Sequence, residues 1–273
     1  MNDNKSRDIF YGVIAVATLI VALIGATLAY FSMNASSNEG AVNATAAIVS
    51  VDYEDGQQVI AQGKNLIPSS FDVVKTIYEN NLDAINQQAN TEYQEGETER
   101  TNLCQDGANP NYEVCSIYRF SVKNDVETSI RAALRTEANS FTDLYYAVRV
   151  VSGNDTNPKT GEWLDLDFGD NGESLKYVKL STCDNSGETA CFTENEGIKT
   201  YANIAAKPIF GFTSASDSSF KTINIAANKY TFDVVLFILE KDKPQDYDQG
   251  KTYSGTIFVE TTNNTGNITG RVS

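Results

Sequence analysis

The sequence contains no histidine. Catalysis by Ser-His-Asp or Cys-His groups needs an imidazole, and so do HExxH zinc proteases and most catalytic zinc sites. Basic residues are also scarce: 21 Lys and Arg stand against 36 Asp and Glu, which gives a formal net charge of −15. A field of that sign repels nucleic acid and anionic membrane surfaces. These shortages exclude several large enzyme classes and argue against nucleic acid as a partner.

Charge is absent from a long stretch near the N-terminus. No residue between Asp8 and Glu39 is charged, and residues 13–29 are almost all apolar, after a short basic region. This order is typical of a secretory signal peptide over residues 1–29, or of an uncleaved membrane anchor over residues 10–33. The rest of the chain is therefore expected outside the cell, as a secreted or cell-surface protein with a single N-terminal membrane segment.

The two interpretations differ in whether the chain is cut between Ala29 and Tyr30. The length of the apolar run is close to the ~20 residues that span a bilayer, which favours an anchor. Small residues, Thr27 and Ala29, occupy the −3 and −1 positions of that bond, which favours cleavage. The segment that follows, residues 30–45, is small and polar, and we expect a flexible arm there.

The four cysteines form two local pairs, Cys104 with Cys115 and Cys183 with Cys191. In an exported protein, an even number of cysteines at short spacing predicts disulfides. Each disulfide would close a loop of about ten residues, which stabilises a protein by ~2–3 kcal/mol on the loop-entropy model. A four-cysteine metal site is the alternative, although neither pair has CxxC spacing. Other pairings stay open.

Alternating apolar and polar residues predict strands along most of the remaining chain. The segments are residues 46–53, 117–122, 129–136, 144–151, 163–168, 175–180, 207–213, 230–239 and 253–261. The first strand is expected to end in a turn at residues 54–56. Many short strands joined by polar turns indicate a mainly β fold, an antiparallel β-sandwich or jelly roll over residues 46–262. A polar tail, residues 263–273, is expected to follow it.

One segment has helical periodicity instead. Apolar residues recur there on one helical face: Val74, Tyr78, Leu82 and Ile85. Ser69 followed by Asp72 resembles a capping box. The spacing therefore predicts one inserted helix over about residues 70–88.

A short acidic segment is a candidate calcium site. Asp165, Asp167, Asp170 and Glu173 lie close together around two glycines, and carboxylate oxygens are ligands that Ca²⁺ prefers. The spacing is not that of an EF-hand, and the solvent face of a strand followed by a turn explains the same residues. We predict no other cofactor. A catalytic pair of carboxylates, as in a glycosidase, has no specific signal in so acidic a chain.

Three stretches together resemble a known family. The first stretch is the apolar run that continues into residues 27–32, followed by an arm of small residues and a strand. The second is residues 118–125, and the third is residues 241–255 with the strand that follows them. They are similar to the SipW-type export signal, an early strand with an Asn-containing turn, and the C-terminal hairpin of the TasA/camelysin family. These are envelope and biofilm-matrix proteins of Gram-positive bacteria. The cysteine pairs depart from the family pattern, and the lack of HExxH leaves no site for metalloprotease activity.

The resemblance implies a secreted subunit that polymerises into fibres. In such fibres the freed N-terminal arm adds as a strand to the sheet of the next subunit, and here Tyr30, Phe31 and Met33 are the candidate side chains to fill its pockets. Alternatively, Tyr30 and Phe31 end the membrane segment as interfacial aromatic residues.

The sequence as a whole predicts a non-enzymatic structural protein of the cell envelope or extracellular matrix. Its expected partners are other copies of itself or other envelope proteins, with membrane contact through the N-terminal segment at least before processing. Two alternatives stay open. One is a membrane-anchored surface domain for adhesion or ligand binding, and the other is a secreted hydrolase that uses carboxylates.

Overall fold

The fold was obtained as a computed structural model. It describes residues 51–58, 66–89, 103–106, 109–124, 127–153, 158–168, 173–184, 190–195, 197–202, 204–214, 217–261 and 267–272. All of them belong to one compact unit, Ala46–Ser273. The predicted signal peptide or anchor and the predicted arm lie outside the described residues.

Strands account for most of the described chain, as the alternating pattern predicts. The strands are β1 (Val51–Gln58), β2 (Gln105–Asp106), β3 (Asn109–Glu113), β4 (Ser116–Asn124), β5 (Thr128–Asn139), β6 (Leu144–Ser152), β7 (Asp167–Phe168), β8 (Ser174–Leu175), β9 (Tyr177–Lys179), β10 (Phe192–Asn195), β11 (Ile198–Tyr201), β12 (Ala206–Pro208), β13 (Phe212–Ser214), β14 (Asp217–Phe220), β15 (Ile223–Ile225), β16 (Asn228–Ile238), β17 (Tyr253–Thr261) and β18 (Asn267–Val272). The helices are α1 (Phe71–Asn80), α2 (Leu82–Ala89) and a 3₁₀ turn (Asp246–Asp248).

Two antiparallel sheets form the body of the protein. The first sheet has the order β1-β4-β16-β6-β9, and the second has the order β12-β5-β17-β18, with β15 also paired to β5. The remaining short strands form two-stranded pairs, among them the β10–β11 hairpin. Strands that follow one another in sequence often lie in different sheets, as β5 and β6 do, and β16 and β17. The fold is therefore mainly β with antiparallel sheets.

Side chains from both sheets meet in one core. Alternate residues of each strand point into it because successive side chains of a strand face opposite ways. The first sheet contributes Phe120, Val148, Phe232 and Val234, and the second contributes Ile130, Leu134, Ile257 and Val259. Each fully buried side chain of this kind stabilises the fold by ~1.5–3 kcal/mol.

The two helices cover the opposite face of the first sheet. Val74, Tyr78 and Ile85, three of the residues on the predicted helical face, are fully buried there. They pack with Val235 and Phe237, the outward-facing residues of β16. Strand β16 is therefore covered on both faces, which explains why its sequence is nearly continuous in apolar residues.

The helical segment differs from the prediction in two details. The single predicted helix is two helices, because Asn81 ends α1 with a hydrogen bond from its side-chain Nδ2 to the carbonyl oxygen of Ile77 (2.9 Å). Such local bonds to the backbone compete with helix continuation. The capping box predicted at Ser69 is also wrong. Ser70 is the N-cap and accepts from the amide of Val73 (3.4 Å), whereas Ser69 pairs through its backbone with Ile238 (2.9 Å).

Three predicted boundaries are corrected by the strand pairing. The turn predicted at residues 54–56 is an irregularity inside β1, where the register with β4 shifts between Glu54 and Gln57. Only Asp167–Phe168 of the strand predicted over residues 163–168 is a strand. The segment predicted as a polar tail contains β18, which pairs along β17.

Candidate functional site

Two strand edges are the features of the fold most suited to assembly. Strand β1 pairs with β4, and β18 pairs with β17. Within the described residues neither has a partner along its other edge, and the two strands contact each other. An unpaired edge presents backbone donors and acceptors that an added strand can satisfy. These edges are therefore candidate acceptors for an extended segment.

The predicted donor and cleavage residues cannot be placed on these edges. Ala29, Tyr30, Phe31 and Met33 lie outside the described residues. The same holds for the predicted membrane segment, and among the residues that the structure does describe, no helix has the length and apolar character needed to cross a bilayer. The cleavage site, the anchor and the donor arm stay predictions.

Both predicted disulfides are confirmed. Cys104 and Cys115 are bonded, with Cα atoms 5.4 Å apart, and lie in the core beneath the helices. Cys183 and Cys191 are bonded, with Cα atoms 5.2 Å apart, and pack with Ala205 beside the β10–β11 hairpin. Each disulfide therefore ties a loop to a packed region rather than forming part of a metal site.

The acidic segment proposed for calcium is only partly described. Asp165 forms an ion pair with Lys176 (2.7 Å), and Asp167 accepts a hydrogen bond from the amide of Phe168 (2.8 Å). Glu173 is exposed, and Asp170 lies outside the described residues. Among described residues no group of three or more acidic or cysteine side chains is close enough to hold a metal ion. Calcium binding stays a prediction.

A buried polar network joins helix α1 to the first sheet. Asp233 is fully buried and accepts two hydrogen bonds from Arg119, from Nε (2.7 Å) and from Nη2 (2.8 Å). Its Oδ2 atom also accepts a bond of 2.6 Å from the hydroxyl of Tyr78. Burial, and then the charge of Asp233, raise the pKa of Tyr78 above its ordinary value. Burial alone would lower the pKa of Arg119, but the bonds to Asp233 raise it.

The register of the strands builds this network. Asp233 on β16 lies directly between Arg119 on β4 and Arg149 on β6. The guanidinium of Arg149 lies over the ring of Tyr78 (5.2 Å), and the indole of Trp163 donates to Glu79 (3.0 Å). The hydrogen bonds from Arg119 on β4 and from Tyr78 on α1 make Asp233 a structural group that holds α1 on the sheet.

A second hydrogen-bond network joins two connections that cross from one sheet to the other, the β5–β6 connection and the β16–β17 connection. Asp248, in the 3₁₀ turn between β16 and β17, accepts from the amides of Thr142 (2.7 Å) and Asp143 (3.1 Å) between β5 and β6. Asp143 in turn accepts from Tyr247 (2.6 Å) and from Lys179 (3.2 Å). Burial favours the neutral acid, but these hydrogen bonds outweigh it and lower the pKa of Asp143. Residues 241–252 thus cross from β16 in the first sheet to β17 in the second, and residues 241–255 do not form the expected hairpin.

The outer face of the second sheet carries a cluster of cations and aromatic rings. The Cζ atom of Arg135 lies 3.5 Å from the centroid of the Phe258 ring and 5.1 Å from that of Tyr201. Lys199 and the hydroxyl of Tyr201 donate to Glu137, at 2.7 and 3.2 Å. The β10–β11 hairpin is held on the sheet by these contacts.

None of the three polar clusters is predicted by the sequence pattern. One signal was present: Asp233 is the one charged residue within the apolar run of β16, and a charge in a buried strand needs a partner. Its partners come from residues more than a hundred positions away, so spacing does not reveal them.

The chain matches no protein-family model, and no curated protein matches it.

Proposed function

We propose that this chain is an exported structural subunit of the cell envelope or extracellular matrix that self-associates by strand addition. In this proposal the two sheets form a β-sandwich of jelly-roll type, and the N-terminal segment of one copy, from Tyr30 to about residue 47, pairs with a free strand edge of the next. The observation that supports it most is that β1 and β18 each have, among the described residues, a partner strand along one edge only. The resemblance to the TasA/camelysin family is the second support.

Strand addition requires a domain that stays folded without its arm. The shared core of two sheets, the helical layer and two disulfides supply that stability from residues beyond position 50. An added strand would satisfy the backbone groups of an edge while its side chains fill pockets. Cleavage before Tyr30 would be needed, because an anchored arm is not free to leave its own domain.

A structural rather than enzymatic role agrees with how the buried carboxylates are used. Asp233 is engaged by Arg119 and Tyr78, and Asp143 and Asp248 hold the crossovers together. Carboxylates in these positions lack the freedom to serve as general acid and base, which must reach a substrate. The proposal therefore assigns them to stability.

The first experiment compares protein from culture medium and from membranes by intact mass and N-terminal sequence. Soluble protein that begins at Tyr30 would leave the arm free to donate. Full-length protein found only in membranes would contradict strand addition and favour the anchored surface domain instead.

The second experiment removes residues 30–43 from the mature protein. We expect a folded monomer, with both disulfides formed, that does not polymerise. Such a variant keeps its acceptor edge but has no arm to donate, so a small amount mixed with intact protein should cap growing fibres and shorten them. Fibres of normal length formed by the deletion variant alone, seen by electron microscopy, would refute the proposal.

A further inference from the structure

A buried arginine on the first sheet has no acceptor for the N–H groups of its side chain. Arg149 on β6 is only 9% exposed, and its Nε atom is enclosed without a hydrogen-bond partner. Within the described part of the chain, no carboxylate lies within ion-pair distance of its guanidinium. Buried polar groups in proteins almost always have a partner. The side chain of Arg149 is therefore a group whose acceptor the described residues do not supply.

Two aromatic rings hold the guanidinium of Arg149 in place. Its Cζ atom lies 5.2 Å from the centroid of the Tyr78 ring and 6.0 Å from that of Trp163, and both rings are buried. Tyr78 is itself fixed by its hydrogen bond to Asp233 (2.6 Å), and Trp163 by its bond to Glu79 (3.0 Å). Because the guanidinium is positioned before any ligand arrives, little conformational freedom is lost on binding.

The outer end of this guanidinium borders an open space beside Gly161. A Cβ atom added to Gly161 would lie 3.8 Å from Nη2 of Arg149 and, apart from adjoining residues, within 4 Å of no other atom. Gly161 is exposed, and its amide donates to the carbonyl oxygen of Val150 (2.8 Å), which fixes the turn next to β6. Nη2 is therefore accessible to a ligand from solvent, whereas Nε is not.

The neighbouring acidic side chains do not serve as the missing acceptor. Asp233 already accepts two bonds from Arg119 and one from Tyr78. Glu79 and Glu162 are exposed, and each already accepts a hydrogen bond. With these acids nearby the region has no excess of positive charge, so what attracts a ligand is the set of unpartnered N–H donors.

We propose that Arg149 binds a carboxylate group of a ligand from outside the domain, in the space beside Gly161. The two Nη atoms would donate two parallel hydrogen bonds, the geometry in which a guanidinium and a carboxylate match. Glu79 and Glu162 repel a doubly charged phosphate more strongly than a singly charged carboxylate, which favours the carboxylate. The ligand is therefore an acidic peptide or an acidic sugar, recognised through the group that the two share. This site lies on a sheet face and does not depend on strand addition.

The first test uses Trp163, the single tryptophan of the chain, as a reporter beside the guanidinium. Fluorescence of the mature protein is followed during titration with sodium acetate, against sodium chloride at equal ionic strength. We expect saturable binding of acetate, weakened at least about ten-fold in Arg149→Gln by loss of charge-assisted hydrogen bonds. Arg135→Gln is the matched control, because Arg135 also packs on two rings but is less buried, and it should leave binding unchanged.

A second pair of variants tests the free donors of Arg149 without removing the arginine. Gly161 has a φ of +83°, a conformation that Asp and Asn tolerate better than most residues. Gly161→Asp places a carboxylate beside Nη2, and Gly161→Asn controls for strain and size. We expect Gly161→Asp to have the higher Tm and to lose acetate binding. The difference in Tm should vanish when Arg149→Gln is added to both.

Equal acetate binding by Arg149→Gln and the natural protein would overturn the proposal. An equal Tm for Gly161→Asp and Gly161→Asn would also overturn it, because the N–H groups of Arg149 would then have no need of an acceptor. Tighter binding of inorganic phosphate than of acetate would refute the carboxylate assignment. Binding of N-acetylglutamate or of glucuronate more tightly than acetate would support the site and identify the source of the carboxylate as a peptide or a sugar.

Discussion

The hydroxyl of Tyr78 offers a direct measurement of how strongly helix α1 is held on the first sheet. It is fully buried and donates a hydrogen bond of 2.6 Å to Asp233. Tyr78→Phe removes this bond and keeps the ring, which packs edge-on against Trp163 with centroids 5.2 Å apart. The substitution therefore isolates the hydrogen bond from the packing.

The expected loss follows from burial and charge. A buried hydrogen bond to a charged group contributes about 1.5–3 kcal/mol. Asp233 keeps both bonds from Arg119 in the variant, so the loss should stay below the about 3–5 kcal/mol expected when a buried ion pair loses one partner. Asp233→Leu leaves the buried guanidinium of Arg119 without a counter-ion, so its loss of stability should reach about 3–5 kcal/mol. At about 2–4 °C per kcal/mol for a domain of this size, Tyr78→Phe should lower Tm by about 3–12 °C.

The assay is guanidinium chloride unfolding of the mature protein at neutral pH with its disulfides intact. Tyr247→Phe is the matched control, because its hydroxyl also donates a bond of 2.6 Å to a carboxylate, that of Asp143, but its side chain is 41% exposed. Water can replace the lost bond at that position, so the change there should be much smaller. Equal small losses of stability for the two substitutions would refute the idea that burial strengthens the Tyr78 hydrogen bond.

Three further predictions concern pH and the disulfides. The hydrogen bonds to Asp143 lower its pKa in the folded protein. Its ionised side chain therefore stabilises the fold above about pH 4, the pKa in the unfolded chain, and this stabilisation is lost as pH falls through the folded pKa. Asp143→Asn should make acid unfolding, followed by circular dichroism, less steep. Burial raises the pKa of Tyr78 and of Tyr253, so stability should decline as pH rises above about 10, and less steeply in Tyr78→Phe. Replacing Cys183 and Cys191 by serine should cost about 2–3 kcal/mol in urea unfolding; an unchanged midpoint would contradict the assumed loop constraint.

The strands were predictable because their side chains alternate or are continuously apolar. The predicted segments at residues 117–122, 129–136, 144–151, 230–239 and 253–261 all coincide with long strands of the structure. In each, one face packs into the shared core, so the hydrophobic pattern and the tertiary contacts agree. The buried face of the helical segment was predictable for the same reason.

The departures occur where a specific hydrogen bond outweighs the pattern. Ser69 has the sequence of a helix cap, but its backbone pairs with Ile238, and the neighbouring Ser70 caps the helix. Trp163 alternates with its neighbours as a strand would, yet it makes only an isolated bridge with Arg149. No local pattern encodes the pairing of Ser69 with Ile238, because the two residues lie far apart in the chain.

The candidate site was the least predictable part for a related reason. Which strand lies at an edge, and which side chains share a face, depends on the order of the strands in the sheet. The position of β1 at an edge of the first sheet and the neighbours of Arg135 on the second both follow from that order. Edges point along the plane of a sheet, whereas faces point across it. Strand addition uses an edge, so it extends an assembly within the plane of the sheet. Deletion of residues 30–43 should therefore abolish growth along the fibre while the core shared by the two sheets stays folded.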